Sequence, residues 1–179
     1  MNIRRARLED VFVLAKVHVD AWHAAYHGVV PDSFLEQITV SKREASFREF
    51  LLNDSSEETY VAEESGEVIG FLTVGACRDA DADDNLTGEV WGIYIAPQHW
   101  RKGIGRRLAV KAQEVLEFGA YEEATLWVLE QNKPARQFYE ALGYRPDGAS
   151  KELNLGVPLT AVRYRKALAG EVGGAGGRS

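Results

Sequence analysis

Apolar residues along this chain recur at two spacings, and the spacing changes from one stretch to the next. Val11, Leu14, His18, Ala21, Trp22 and Ala25 fall on one stripe at helical period, with Asp10 placed to cap and Gly28 beyond the end, so a helix is predicted over Val11 to Tyr26. The same period returns in Ile104, Leu108, Ala112, Val115 and Leu116, with Arg106, Arg107, Lys111, Glu114 and Glu117 on the opposite face. Ala135, Phe138, Tyr139 and Leu142 form a third stripe, predicting a helix from Lys133 to Leu142 that stops at Gly143. Two shorter helical regions are expected, one opened by Pro31 and carrying Phe34, Leu35 and Ile38, the other from Lys42 to Leu52 with Phe47, Phe50 and Leu51. Elsewhere the pattern shifts to β-branched and aromatic runs: Ile3 to Arg7, Thr59 to Ala62, Val68 to Cys77, Val90 to Ile95, Ala124 to Leu129, Lys151 to Leu155 and Ala161 to Lys166. The second and third of these form a hairpin through Ser65-Gly66. This mixing of strands and helices predicts an α/β (α+β) fold in three layers, a central mixed and mostly antiparallel sheet flanked by helices.

Composition narrows the classes. A length of 179 residues with 45% hydrophobic content supports one domain, expected over 1–168, followed by a Gly-rich tail over 169–179 that should be disordered. A net charge of −6 argues against general nucleic-acid binding, and no targeting segment or membrane span is apparent, so a cytoplasmic protein is expected. The single cysteine, Cys77, excludes an internal disulfide framework and reads as a buried small residue. His18 lies on the apolar stripe of its helix, where a satisfied core histidine is the default. His23 and His27 share another face, but without a carboxylate at ligand spacing they predict no metal site. The acidic run Asp79 to Asn85 has acids at alternate positions, yet Asp84 and Val90 stand where a calcium loop needs Gly and Glu; a solvated, mobile loop over the pocket mouth is expected instead.

The strongest chemical signal lies between the strand ending at Ile95 and the helix starting near Ile104. The intervening loop, Gln98-His99-Trp100-Arg101-Lys102-Gly103-Ile104-Gly105, brings two glycines to a helix N-terminus with three cations, Arg101, Lys102 and the adjoining Arg106, nearby, a natural anion site. A nucleotide P-loop would need Lys-Ser/Thr after its last glycine, where Arg106 and Arg107 stand. A dinucleotide fingerprint would need a third glycine at Leu108 and a first one directly after the strand.

What remains, a strand, a proline, a basic R-x-G-x-G loop and a helix, resembles the acetyl-CoA loop of the GNAT superfamily of N-acetyltransferases. The chain departs from the family's pattern at Trp100, where Gln or Arg is usual, and at Arg101, where Gly is common. A second stretch, Asn132 to Tyr144, is similar to the family's N-x-x-A-x-x-x-Y-x-x-x-G-Y/F signature. Together the two motifs span about Glu89 to Tyr144. The resemblance implies acetyl-CoA as co-substrate, with no metal. It implies that the backbone N–H groups of Arg101, Lys102, Gly103, Ile104, Gly105 and Arg106 hold the pyrophosphate, that Ile93, Tyr94 and Ile95 pair with the pantetheine arm, and that Asn132 hydrogen-bonds the coenzyme. Tyr139 becomes the general acid near the thioester sulfur. Glu89 is the first candidate for the base, directly or through water, because the position where other members carry a Glu on the next strand is Trp127 here; Glu130 is the reserve.

The same resemblance places the early helices along the acceptor pocket, so Trp22, His23, Tyr26 and His27 are expected substrate contacts. The expected acceptor is a small-molecule primary amine, with a polyamine suggested by the acidic composition. A protein or peptide N-terminus, or a non-catalytic acyl-CoA-binding module, are the alternatives. Homodimers occur in the family, and a homodimer is carried as an expectation on that analogy alone.

Overall fold

The structure, a computed structural model, describes residues 1–53 and 57–168. The expected tail over 169–179 lies outside the described residues. The strands are β1 (Asn2–Arg5), β2 (Glu58–Glu64), β3 (Glu67–Ala76), β4 (Thr87–Ile95), β5 (Glu123–Leu129), β6 (Arg145–Asn154) and β7 (Pro158–Ala167). The helices are α1 (Val11–Tyr26), α2 (Asp32–Leu35), α3 (Val40–Leu52), α4 (Ile104–Phe118) and α5 (Lys133–Ala141). The strands form one seven-stranded sheet in the order β1-β2-β3-β4-β5-β7-β6. Only β4 and β5 run parallel; every other neighbouring pair is antiparallel.

The two faces of the sheet are covered differently because side chains alternate across it. On one face α4 buries Ile104, Leu108, Ala112 and Leu116 against Leu72, Val74, Val90 and Leu126, and Tyr139 of α5 and Leu142 just past its end pack at the margin. On the other face α1 buries Leu14 and Val17 against Val61 and Phe71, joined by Phe47 and Leu51 of α3. A third cluster, Val19, Val30, Leu35 and Ile38, meets Leu155 and Leu159 of the β6–β7 hairpin, so the hairpin tip is anchored to the start of the helical layer. The expected three-layer arrangement is therefore present.

Two local conformations follow from sequence. Ser65 and Gly66 both take positive φ, 53° and 85°, as a tight two-residue hairpin demands. Cys77 is buried, its Sγ 3.4 Å from Thr125 Oγ1. The acidic loop departs from expectation: instead of floating over a pocket mouth it is clamped by Arg163 on β7. That buried guanidinium donates to Asp79 at 3.1 Å, Asp81 at 2.7 Å and Asp147 at 2.7 Å, while Trp127 Nε1 donates to Asp79 at 3.0 Å. Acids at alternate positions reach a cation that lies 82 residues or more downstream, a pairing no local pattern announces.

Candidate active site

The sheet opens where the two motifs meet. β4 and β5 pair over only three positions, Thr87 with Glu123, Gly88 with Ala124 and Glu89 with Thr125. Beyond them β5 pairs with β7 alone, whereas Ile93, Tyr94 and Ile95 pair with Leu72, Phe71 and Gly70 of β3 alone. The β5-side edge of β4 thus presents backbone N–H and C=O groups that no strand satisfies. The β3–β4 register slips at Thr73/Val74, where Gly92 and Val90 are the partners and Trp91 is the extra residue of a bulge. An ideal Cβ on Gly92 would lie 2.5 Å from the Tyr94 ring, so the bulge keeps glycine because that ring folds over it.

A cavity of about 370 Å³ fills the opening, lined by Ile93, Tyr94 and Ile95 of β4, Gly105 of α4, Asn132, Phe138 and Tyr139 of the α5 region, and Trp22 and Tyr26 of α1. Of the predicted loop residues 101–106 only Gly105 lines the cavity; two residues before it Gly103 is the N-cap of α4 with φ 81°, and Arg101 also takes a positive φ of 61°. The first helical bond runs from Arg107 N to Gly103 O at 3.3 Å, leaving the N–H groups of Ile104, Gly105 and Arg106 ahead of the ladder. Gly105 is required for close approach: a Cβ there would meet Ile95 Cδ1 at 3.1 Å and Phe138 at 3.3 Å. Trp100 turns its indole inward and donates from Nε1 to Ile95 O at 2.7 Å. Among the described residues, no group of three His, Cys, Asp or Glu side chains is arranged to hold a metal.

Asn132 caps α5, accepting from Ala135 N at 3.2 Å, and its Nδ2 donates to Tyr26 Oη at 3.2 Å. The two motif residues and α1 are thereby tied into one wall. Tyr139 lines the cavity and its hydroxyl has no hydrogen-bond partner among the described residues. Burial pushes its phenol well above the usual range, with Tyr94, Tyr144 and Tyr26 adding to the effect, so the group stays protonated. Burial likewise raises Tyr94.

Glu89 is buried at the last position of β4 that pairs with β5, and both of its oxygens are engaged by Arg78. Arg78 Nη2 donates at 2.5 Å, Nε at 3.0 Å and the backbone N–H at 3.1 Å. The Arg78 guanidinium in turn stacks 3.8 Å over the Trp91 ring. Glu89 does not line this cavity, and Glu130 is exposed at the end of β5. His23 and His27 face solvent, unlike Trp22 and Tyr26 on the same helix, so α1 brings only half of that quartet to the cavity. His18 is buried as its stripe implies, but its Nδ1 finds no partner, so it is not the satisfied core histidine expected. Burial first, and then the nearby Arg43, drive its pKa down to about 3.

A second cavity, of about 290 Å³, lies on the α1/α3 face of β4 and shares Tyr94 as a wall with the first. His18, Arg43, Phe47, Phe50, Arg78 and Trp91 line it. No motif marked this site. Its one sequence signal is an arginine, Arg43, standing between apolar positions of α3.

An anion cradle at a helix N-terminus, an unpaired strand edge and a protonated tyrosine around one cavity define the class of acyl-coenzyme A-dependent transferases. The chain belongs to the acetyltransferase (GNAT) family, whose model matches residues 19–144. It is 33% identical over 176 residues to an uncharacterised N-acetyltransferase, YuaI, of Bacillus subtilis, covering 91% of this chain and 96% of that one. A spermidine N(1)-acetyltransferase of Thermoplasma acidophilum is 27% identical over 156 residues, covering 81% of this chain and 88% of that one. Among solved structures, PaiA N-acetyltransferase of Thermoplasma acidophilum, crystallised with coenzyme A, superposes with a TM-score of 0.76 at 19% identity over 93% of this chain and 98% of that one. This protein is an acetyl-CoA-dependent N-acetyltransferase.

Proposed function

We propose that the protein transfers an acetyl group to the primary amine of a small molecule, by direct attack with both substrates bound. The observation that carries this reading is the unpaired edge of Ile93–Ile95 facing Asn132 and Tyr139 across one cavity that Gly105, at the start of α4, also lines. These groups fit coenzyme A: the N–H groups from Arg101 to Arg106 suit a pyrophosphate, and the open edge suits an amide-bearing arm.

Acetyl-CoA supplies a thioester acyl group; transfer makes one C–N bond and breaks one C–S bond. The chain must therefore take a proton from the amine and meet the charge that develops on sulfur. An alkylammonium has a pKa of about 10, so deprotonation precedes attack at neutral pH. Glu89 remains the first candidate for the base, directly or through water, and to serve it must be released from Arg78, which holds both of its oxygens. Tyr139, held protonated by burial, donates its hydroxyl hydrogen to the sulfur. N–H donors of the β4 edge polarise the carbonyl.

A polyamine acceptor has support in the spermidine-acetylating relative and in the net charge of −6. The decisive test is calorimetric titration with acetyl-CoA, followed by thiol release against a panel of amines. Binding with release for a small amine is expected; binding without release for any amine would remove the transferase reading of this site, and release only with peptide N-termini would replace the acceptor class.

A further inference from the structure

The second cavity adjoins the transfer site through Tyr94 and the Trp91–Gly92 bulge, yet its charge is the opposite of what a polyamine needs. No Asp or Glu lines it. Arg78 in the lining is already paired with the buried Glu89. Arg43 projects from α3 into the cavity, and among the described residues its guanidinium makes neither an ion pair nor a hydrogen bond. His18 is kept neutral there, so the lining carries one unmatched positive charge beyond the Arg78–Glu89 pair. The lining side chains His18 and Trp91 each keep one ring nitrogen that is closed off from solvent and, among the described residues, without a partner, so neither nitrogen reaches into the cavity and recognition falls to Arg43. Most of the other walls are aromatic, Phe47, Phe50, Phe71, Trp91 and Tyr94, together with the hydroxyl-bearing Ser46 and Thr73.

Resting on the acetyltransfer reading above, we propose that the acceptor is an α-amino acid with an apolar or aromatic side chain, its carboxylate paired with Arg43 in this cavity. A guanidinium meets a carboxylate in a two-pronged fork that neither a lysine nor a neutral donor reproduces. The aromatic walls take the side chain, and the α-amine is directed past Tyr94 toward the β4 bulge. A polyamine here would bring several ammonium groups to a lining with no free anion, and would lose their hydration without compensation. Selection for the acceptor thus comes from local charge, against the sign of the whole molecule.

The test uses the full chain and separates anion recognition from catalysis. Calorimetry with 3-phenylpropionate, which has the carboxylate and ring but no amine, should show binding that weakens about 10- to 100-fold in Arg43→Gln and recovers only in part in Arg43→Lys, as expected for a lost charged hydrogen-bond pair. In thiol-release assays with acetyl-CoA, the kcat/KM for the best of the common α-amino acids should exceed that of its decarboxylated amine and of spermidine, and Arg43→Gln should collapse the ratio. Coenzyme A titration of each variant reports intact folding and an intact first cavity. Preference for spermidine or for the decarboxylated amine, or a ratio that Arg43→Gln leaves in place, would overturn the proposal. Absence of coenzyme binding or of release with every amine would instead defeat the transferase reading, and 3-phenylpropionate binding would still report on the anion site.

Discussion

Gly103→Glu separates the two properties that the α4 N-terminus combines, backbone shape and positive field. Gly103 sits at φ 81°, and an ideal Cβ would meet nothing within 4 Å, so the replacement costs conformational strain but no clash. A left-handed residue other than glycine costs about 1–2 kcal/mol, which for a domain of this size lowers Tm by roughly 2–8 °C and leaves it folded. The effect on coenzyme binding is far larger. Each hydrogen bond to a charged group is worth about 1.5–3 kcal/mol, and a carboxylate that displaces the pyrophosphate from two N–H donors removes about 3–6 kcal/mol, or on the order of 100- to 10,000-fold in affinity. Calorimetric titration with coenzyme A reads the affinity, and thermal melting reads the strain. Gly103→Ala is the internal reference, since it carries the same strain without the charge; it should melt like the Glu variant while losing no more than about tenfold in affinity. A Glu variant that binds coenzyme A within about threefold of the parent would refute the cradle, and equal losses in both variants would trace the effect to backbone displacement rather than to the field of the helix terminus.

Further outcomes follow from the same geometry. Tyr139→Phe should lower kcat by about 10- to 100-fold with coenzyme affinity nearly unchanged, measured by steady-state thiol release beside calorimetry; full turnover would remove the hydroxyl from the reaction. His18 titrates at about 3 in the folded protein against 6.5 ordinarily, so the unfolded chain binds the extra proton and the stability this group leaves intact above pH 6.5 is lost as pH falls toward 3. His18→Phe should therefore soften the loss of stability between neutral pH and about pH 5 by about 1–2 kcal/mol, read by denaturant melts at both pH values, and parallel pH profiles in parent and variant would contradict it. Arg163→Met should destabilise by about 3–5 kcal/mol, because Asp79, Asp81 and Asp147 lose their shared cation while Asp79 and Asp147 stay largely buried; a shift under about 1 kcal/mol in denaturant midpoint would show that the clamp is ornamental.

Much of this fold is readable along the chain because its elements are local and their patterns long. The α1 stripe and the α4 stripe predict both helices nearly to the residue, and the glycines at 103 and 143 stop or start elements where they are found. Most of the lining of the first cavity is legible for the same reason, since Ile93 to Gly105 and Asn132 to Tyr139 lie in two contiguous motifs. What the sequence hides are pairings between distant segments. The bulge at Trp91 depends on the β3 register, not on anything in β4 itself. β6 begins six residues earlier than its apolar run, at Arg145 rather than Lys151, because it is an exposed edge held by β7 and needs little hydrophobic content of its own. The second cavity is assembled from α1, α3, β3 and β4, so Arg43, Arg78 and Trp91 meet only in three dimensions, and Glu89 emerges as one half of an ion pair whose other half no motif names.

The open seam between β4 and β5 has a mechanical meaning. With three paired positions joining them, the sheet is two slabs, one carrying β1 to β4 and the other β5, β7 and β6, fastened at one end like the covers of a book. A ligand that lays an amide chain along the free edge acts as a stitch, and alternate amides of Ile93–Ile95 that exchange with solvent without it become protected with it. Hydrogen exchange at those positions would then count stitches, and acceptors would arrive at a site whose rigidity the coenzyme has already supplied.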